Sequence, residues 1–176
     1  MTASRLAAER TALLVVDVQE AFRRYHCFSR VAAGAAKLLA GARLLGLPRI
    51  VTEQYPRGLG STVPEVGLVE ERPLAKRVFS AARAEGFSLG GRDQVLVCGL
   101  ETHVCVAQTV LDLLGEGVEV HLVVDAVGSR HRLDHLVGLR RLTAAGAVAT
   151  TVEAVLFELL GGADHPDFKA VQGLVK

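Results

Sequence analysis

Four largely aliphatic runs stand out along the chain: Ala12 to Val16, Arg49 to Thr52, Gln94 to Cys98 and Val118 to Val124. Their apolar residues follow one another instead of alternating with polar ones, the pattern of parallel strands covered on both faces. Ala- and Leu-rich stretches with helical content lie between them, at Arg30 to Leu45, Val104 to Leu114 and Leu133 to Ala145. Gly46, Gly115 and Gly146 fall where C-terminal helix caps would fall. A last strand at Val148 to Val152 and a helix from Glu153 to Leu160 complete the series. Strands alternating with helices predict a doubly wound α/β sheet, which binds ligands outside the carboxyl ends of its strands. Without a linker, charge block or internal repeat, residues 1–176 read as one domain.

Composition narrows the class. Half of the 176 residues are hydrophobic, only 5% are aromatic, and 20 Lys plus Arg against 19 Asp plus Glu leave a formal charge of +1. Such a balance lacks the basic surplus that drives phosphate-backbone binding, so no nucleic-acid partner is expected. No window reaches the ~18–20 consecutive apolar residues of a membrane span. The run after Arg10 stops at Asp17, too short for a signal-peptide core, so a cytoplasmic protein away from membranes is expected. Cys27, Cys98 and Cys105 are too few and odd in number for a disulfide framework. The question becomes which thiol does chemistry.

Each aliphatic run ends in polar residues. Asp17-Val18-Gln19 follows the first, Thr52-Glu53-Gln54-Tyr55 the second, Gly99-Leu100-Glu101-Thr102-His103-Val104-Cys105 the third, and Asp125 with Ser129-Arg130 the fourth. Lys76 is a fifth candidate for the same rim. Cys105 opens a predicted helix, where the dipole and free N–H groups would lower its pKa and could hold an oxyanion. Position alone leaves that reading level with a buried apolar cysteine. Cys98, inside a strand run, reads as core, and Cys27 as an incidental or rim residue of a loop. An ionised Asp17 at an aliphatic strand end requires a partner; it is either a general base or a cap or salt-bridged strand end. Lys76 is a surface lysine by default, or, beside a thiol and a carboxylate, a group that keeps both ionised.

Other motifs fail. Gly58 to Val63 lacks the third glycine of a dinucleotide loop, and neither Cys98 nor Cys105 has an Arg six residues on, as a phosphatase loop would. His131 and His135 stand at i, i+4, but the intervening Arg132-Leu133-Asp134 has no Glu in the zincin position, so an ordinary solvent-facing helix is expected.

Asp17, Lys76 and Cys105 in that order, with Asp17-Val18-Gln19 after the first strand and Gly99 to Val106 after the third, resemble the isochorismatase-like cysteine hydrolase superfamily. Val51-Thr52-Glu53-Gln54-Tyr55-Pro56 and Asp164-His165-Pro166-Asp167-Phe168-Lys169 are similar to its isochorismatase domain-containing group, so the likeness spans nearly the whole chain. The resemblance implies a three-layer α/β/α sandwich with a six-stranded parallel sheet, and frequent homo-oligomers. It implies a triad of Cys105 as nucleophile, Asp17 as general base and Lys76 as electrostatic partner. It also implies a cis peptide at Leu100-Glu101, with the N–H groups of Glu101 and Cys105 as the oxyanion hole.

No cofactor is expected. The Asp-x-His element that holds a divalent metal in nicotinamidases of the superfamily corresponds here to Gln54-Tyr55-Pro56, so no metal site is expected either. Gln19, Phe22, Gln54, Tyr55 and Thr102 are the candidates for contact with a small, partly apolar substrate. Isochorismate-cleaving members generally lack the nucleophilic cysteine, so the implied reaction is metal-independent hydrolysis of an amide-type C–N bond through a thioester. Isochorismate cleavage, and a weakly active scaffold that oligomerises or binds partners, are the alternatives.

Overall fold

The computed structural model describes residues 5–176. The four aliphatic runs form the four inner strands of one sheet: β1 (Thr11–Val16), β2 (Arg49–Gln54), β4 (Gln94–Leu100) and β5 (Glu119–Gly128). Two three-residue strands, β3 (Leu74–Lys76) and β6 (Val148–Thr150), close its edges. The order is β3-β2-β1-β4-β5-β6, and every neighbouring pair is parallel. Helices α1 (Phe28–Leu44), α5 (Val152–Leu160) and α6 (Phe168–Val175) pack together on one side; α3 (Cys105–Gly115) and α4 (Arg132–Ala144) pair on the other. The short α2 spans Pro56–Leu59. This is the three-layer α/β architecture expected above.

Strand periodicity divides the core in two. Leu13 and Val15 of β1 and Leu96, Cys98 and Leu100 of β4 enter the core shared with α1. Leu14, Val16, Val95 and Val97 face the second core, with Val106 and Val110 of α3. Successive residues of a strand point to opposite faces, so a strand between two helical layers must be apolar at every position. Among the described residues no helix is long and apolar enough to cross a membrane.

Several boundaries differ from the sequence reading. Gly46 and Gly146 have positive φ after α1 and α4, but Gly115 is the last residue of α3 and the positive φ belongs to Gly117. β5 does not end at Asp125: it runs to Gly128, and the Asp125 carboxylate accepts from Val152 N (2.9 Å) at the start of α5. Thr151 leaves the last strand to cap the same helix.

The chain runs outward from β1 through β2 to β3, and outward in the other direction from β4 to β6. The crevice at the carboxyl ends of β1 and β4 is therefore the topological switch point where a ligand site is expected. The two strands meet closely there: Gly99 pairs with Val16, has φ +119°, and a Cβ on it would stand 2.0 Å from Val16 O. Only glycine fits.

Candidate active site

The carboxyl end of β1 turns sharply at Asp17, which has φ 52°, a left-handed conformation that Asp tolerates better than most residues. The turn directs its fully buried carboxylate across the sheet. Oδ1 accepts from Thr52 Oγ1 (2.7 Å) on β2, and Oδ2 accepts from Lys76 Nζ (2.7 Å) at the end of β3. Lys76 Nζ also donates to Gln54 Oε1 (2.7 Å) and Phe79 O (2.9 Å). Gln54 is oriented in turn by donation from Nε2 to Arg77 O (2.9 Å). The Asp17–Lys76 ion pair has both side chains at 0% exposure, and each charge reaches several hydrogen-bond partners, the condition under which a buried pair is tolerated.

Cys105 closes this group from the other half of the sheet. Its Sγ lies 4.0 Å from Gln54 Oε1, and Asp17 and Lys76 both act on its ionisation. Burial pushes the thiol up to about 12, with Asp17 adding to the rise and Lys76 opposing it. The expectation of a thiol lowered by the helix start is therefore corrected: loss of solvent outweighs the gain at the first turn of α3. Cys98, within β4, is pushed higher still by complete burial. Cys27 is no rim residue: its buried Sγ donates to Ser129 O (3.4 Å).

The segment between β4 and α3 wraps over the thiol. Leu100–Glu101 is a cis peptide, Glu101 O accepts from both Val104 N and Val106 N, and Thr102 N donates to Gly128 O (2.8 Å). Two side-chain ties hold the segment to the β5–α4 region: Thr102 Oγ1 with His135 Nδ1 (2.9 Å) and His103 Nδ1 with Ser129 Oγ (3.0 Å). Among the described residues the N–H groups of Glu101 and Cys105 make no hydrogen bond.

A cavity of about 300 Å³ opens above Cys105 and Gln54. Phe22, Tyr25, Leu59, Phe79 and Val104 supply its apolar wall, and Arg24, Glu101 and Arg130 its charges. A larger hollow of about 460 Å³ shares Phe79 with that cavity, lies against α3, and is not lined by Asp17, Gln54, Lys76 or Cys105. Of the residues expected to touch substrate, Phe22 and Gln54 line the cavity. The other three do not. Gln19 is buried, bracing Gln54 N, Gln54 O and Gly60 O. Tyr55 turns outward with Arg77 over its ring at 4.4 Å, and Thr102 is spent on His135. His135, which the sequence placed on a solvent-facing helix, is partly buried with Nδ1 on Thr102 Oγ1, and no group of three or more His, Cys, Asp or Glu that could hold a metal ion gathers among the described residues. Sequence reasoning missed Arg24 and Tyr25 as site residues; Thr52 and Arg130 carried one signal, their places at the ends of strands.

Residues 11–154 match the isochorismatase domain. The chain belongs to the isochorismatase family. It is 48% identical over 167 residues to isochorismatase domain-containing protein 2 of Bos taurus, covering 93% of this chain and 82% of that one. The structure of MAR1 ribonuclease from Caenorhabditis elegans superposes with a TM-score of 0.91 at 40% identity, over 98% of this chain and 92% of that one. YcaC from Pseudomonas aeruginosa, with hexane-2,5-diol and covalent acrylamide, gives 0.89 at 29% identity over 99% and 93%. The Escherichia coli YcaC gene product, an octameric hydrolase of unknown specificity, gives 0.84 at 25% identity over 98% and 97%. As an isochorismatase-family protein the chain is a hydrolase.

Proposed function

We propose that this isochorismatase-family hydrolase uses Cys105 to cleave an amide-type C–N bond of a small molecule, without a metal. One observation carries the reading: a thiol that lines the cavity stands beside the buried Asp17–Lys76 pair, and the Glu101 and Cys105 N–H groups near it make no hydrogen bond among the described residues. As substrate enters, Asp17 takes the thiol proton, and the Lys76 ammonium that balanced the carboxylate balances the thiolate from the same position. The three groups carry the same total charge before and after, the anion shifting from carboxylate to sulfur beside the same ammonium, so the step brings no net charge into the buried region. The thiolate attacks the carbonyl, the oxyanion meets Glu101 N–H and Cys105 N–H, and the protonated Asp17 delivers its proton to the leaving nitrogen. Water then cleaves the thioester and frees the thiol. Gln54 keeps Lys76 in place throughout, and Phe22 packs against the substrate body.

The P. aeruginosa protein holds a covalent acrylamide, and since acrylamide adds to thiols, this supports Cys105 as a reactive nucleophile here. The E. coli octamer supports homo-oligomers here, for which the exposed Leu133, Leu136 and Val137 of α4 offer an apolar stripe. A panel of small amides assayed for ammonia release is the direct test. Turnover by the native protein that survives a chelator and vanishes in Cys105→Ala supports the reading; turnover undiminished in Cys105→Ala sinks it. The ribonuclease name of the C. elegans structure favours a second reading, phosphodiester cleavage, which cleavage of a short RNA by the purified chain would establish.

A further inference from the structure

The cavity mouth carries two guanidinium groups whose setting differs from that of their neighbours. Arg23 is locked between Glu20 and Glu65. Arg24, next in the chain, makes no ion pair or hydrogen bond among the described residues and stands in the cavity wall. Arg130 enters from the β5–α4 connection; its backbone N donates to Glu101 Oε1 (3.1 Å), while its side chain, 54% exposed, has Nε 3.8 Å from that oxygen. Tyr25 lies between them, packed on Phe22 (5.3 Å between rings), with no hydrogen bond to its hydroxyl among the described residues. Arg24, Tyr25 and Arg130 line the same cavity, and while burial and Glu101 push the Tyr25 phenol up, Arg130 and Arg24 both pull it down.

We propose that Arg24, Arg130 and the Tyr25 hydroxyl form an anion subsite, and that the substrate is a short amide bearing a carboxylate. The inference rests on the hydrolase reading above for the scissile bond, but not for the subsite itself. Two guanidinium groups face one carboxylate, Glu101, so the mouth holds a surplus positive charge. A guanidinium offers paired N–H donors that match both oxygens of a carboxylate, and the phenol adds one more. Phe22, Leu59, Phe79 and Val104 leave room for a short apolar body between that anchor and Cys105, in a cavity whose 300 Å³ lies at the small end of ligand pockets. For a dicarboxylic monoamide the chemistry balances: the S–C bond forms as C–N breaks, ammonia leaves with the proton from Asp17, and water cleaves S–C to give the dicarboxylate.

The test pairs succinamate with butyramide, amides of similar length with and without the charge. The native protein is expected to favour succinamate by about tenfold or more in kcat/KM. Arg24→Gln and Arg130→Gln should each lower that ratio severalfold, and raising ionic strength should lower it in the native protein. Calorimetry with succinate against butane-1,4-diol, neither of which has a bond to hydrolyse, reads the subsite without turnover, and binding of succinate alone, weakened in both variants, is the expected result. Equal use of the two amides, a ratio unchanged in both variants, or tighter binding of methyl phosphate than of succinate would overturn the carboxylate subsite and leave the cysteine hydrolase standing. Selective succinate binding with no turnover of either amide would keep the subsite and remove the reading of amide C–N cleavage.

Discussion

The two halves of the sheet contribute unlike things to the crevice between them. From β1, β2 and β3 come Asp17, Thr52, Gln54 and Lys76, a buried group in which each carboxylate oxygen, the ammonium and the Gln54 amide already has protein partners. From β4 and α3 come a thiol and the Glu101 and Cys105 N–H groups, which have no partner among the described residues. The first region is complete as folded, while the second is completed by whatever enters the cavity. Damage to the first should therefore be read mainly as lost stability, and damage to the second mainly as lost rate.

The sharpest contrast is expected at the two central residues. Cys105→Ala should lower kcat by about a thousandfold or more while leaving the melting temperature near that of the native chain, by steady-state assay and calorimetry. Lys76→Met leaves a buried carboxylate unpaired and should cost about 3–5 kcal/mol, read as a drop in denaturant midpoint. Asp17→Asn added to it should restore part of that stability and none of the activity. If Lys76→Met unfolded no more easily than Cys105→Ala, the division between the halves would be wrong. Thr52→Val, which removes the donor to Asp17 Oδ1, should cost about 1.5–3 kcal/mol.

The thiol also gives the second region a signature in pH. Its ordinary value of 9.0 is raised to about 12 on folding, so between those values the unfolded chain has released a proton that the folded chain keeps. Stability is therefore unaffected below about pH 9 and falls as pH rises above it, by up to about 1.4 kcal/mol per pH unit from this group. Cys105→Ala should flatten the alkaline limb of a denaturation series, leaving the share of Cys27 and Cys98. The smallest effect is expected at His135→Ala, which frees Thr102: about 1 kcal/mol in stability, with a severalfold loss in kcat as the segment over the thiol loosens.

This asymmetry also explains what could be read from the sequence. β1, β2, β4 and β5 announced themselves because burial on both faces demands unbroken aliphatic runs. β3 did not, because a three-residue edge strand carries no such run, while β6 was found at Val148 and ends two residues earlier than its pattern suggested. Asp17 and Cys105 were legible as polar groups placed where a core ends, and Lys76 gained weight only beside them. What the strand ends do with one another depends on twist and register: Gln19 and Gln54 looked alike, yet one braces the backbone and the other faces the thiol. Arg24 and Tyr25 were hidden because a charged residue in a loop is by default a solvated one.

The account stands on a covalent step at one sulfur. Native protein mixed with an amide it turns over, quenched within a turnover and digested, should yield the peptide containing Cys105 heavier by the acyl group, with the adduct decaying as free acid appears. Steady release of ammonia with no acyl group on Cys105 at any time, and the same release from Cys105→Ala, would contradict it.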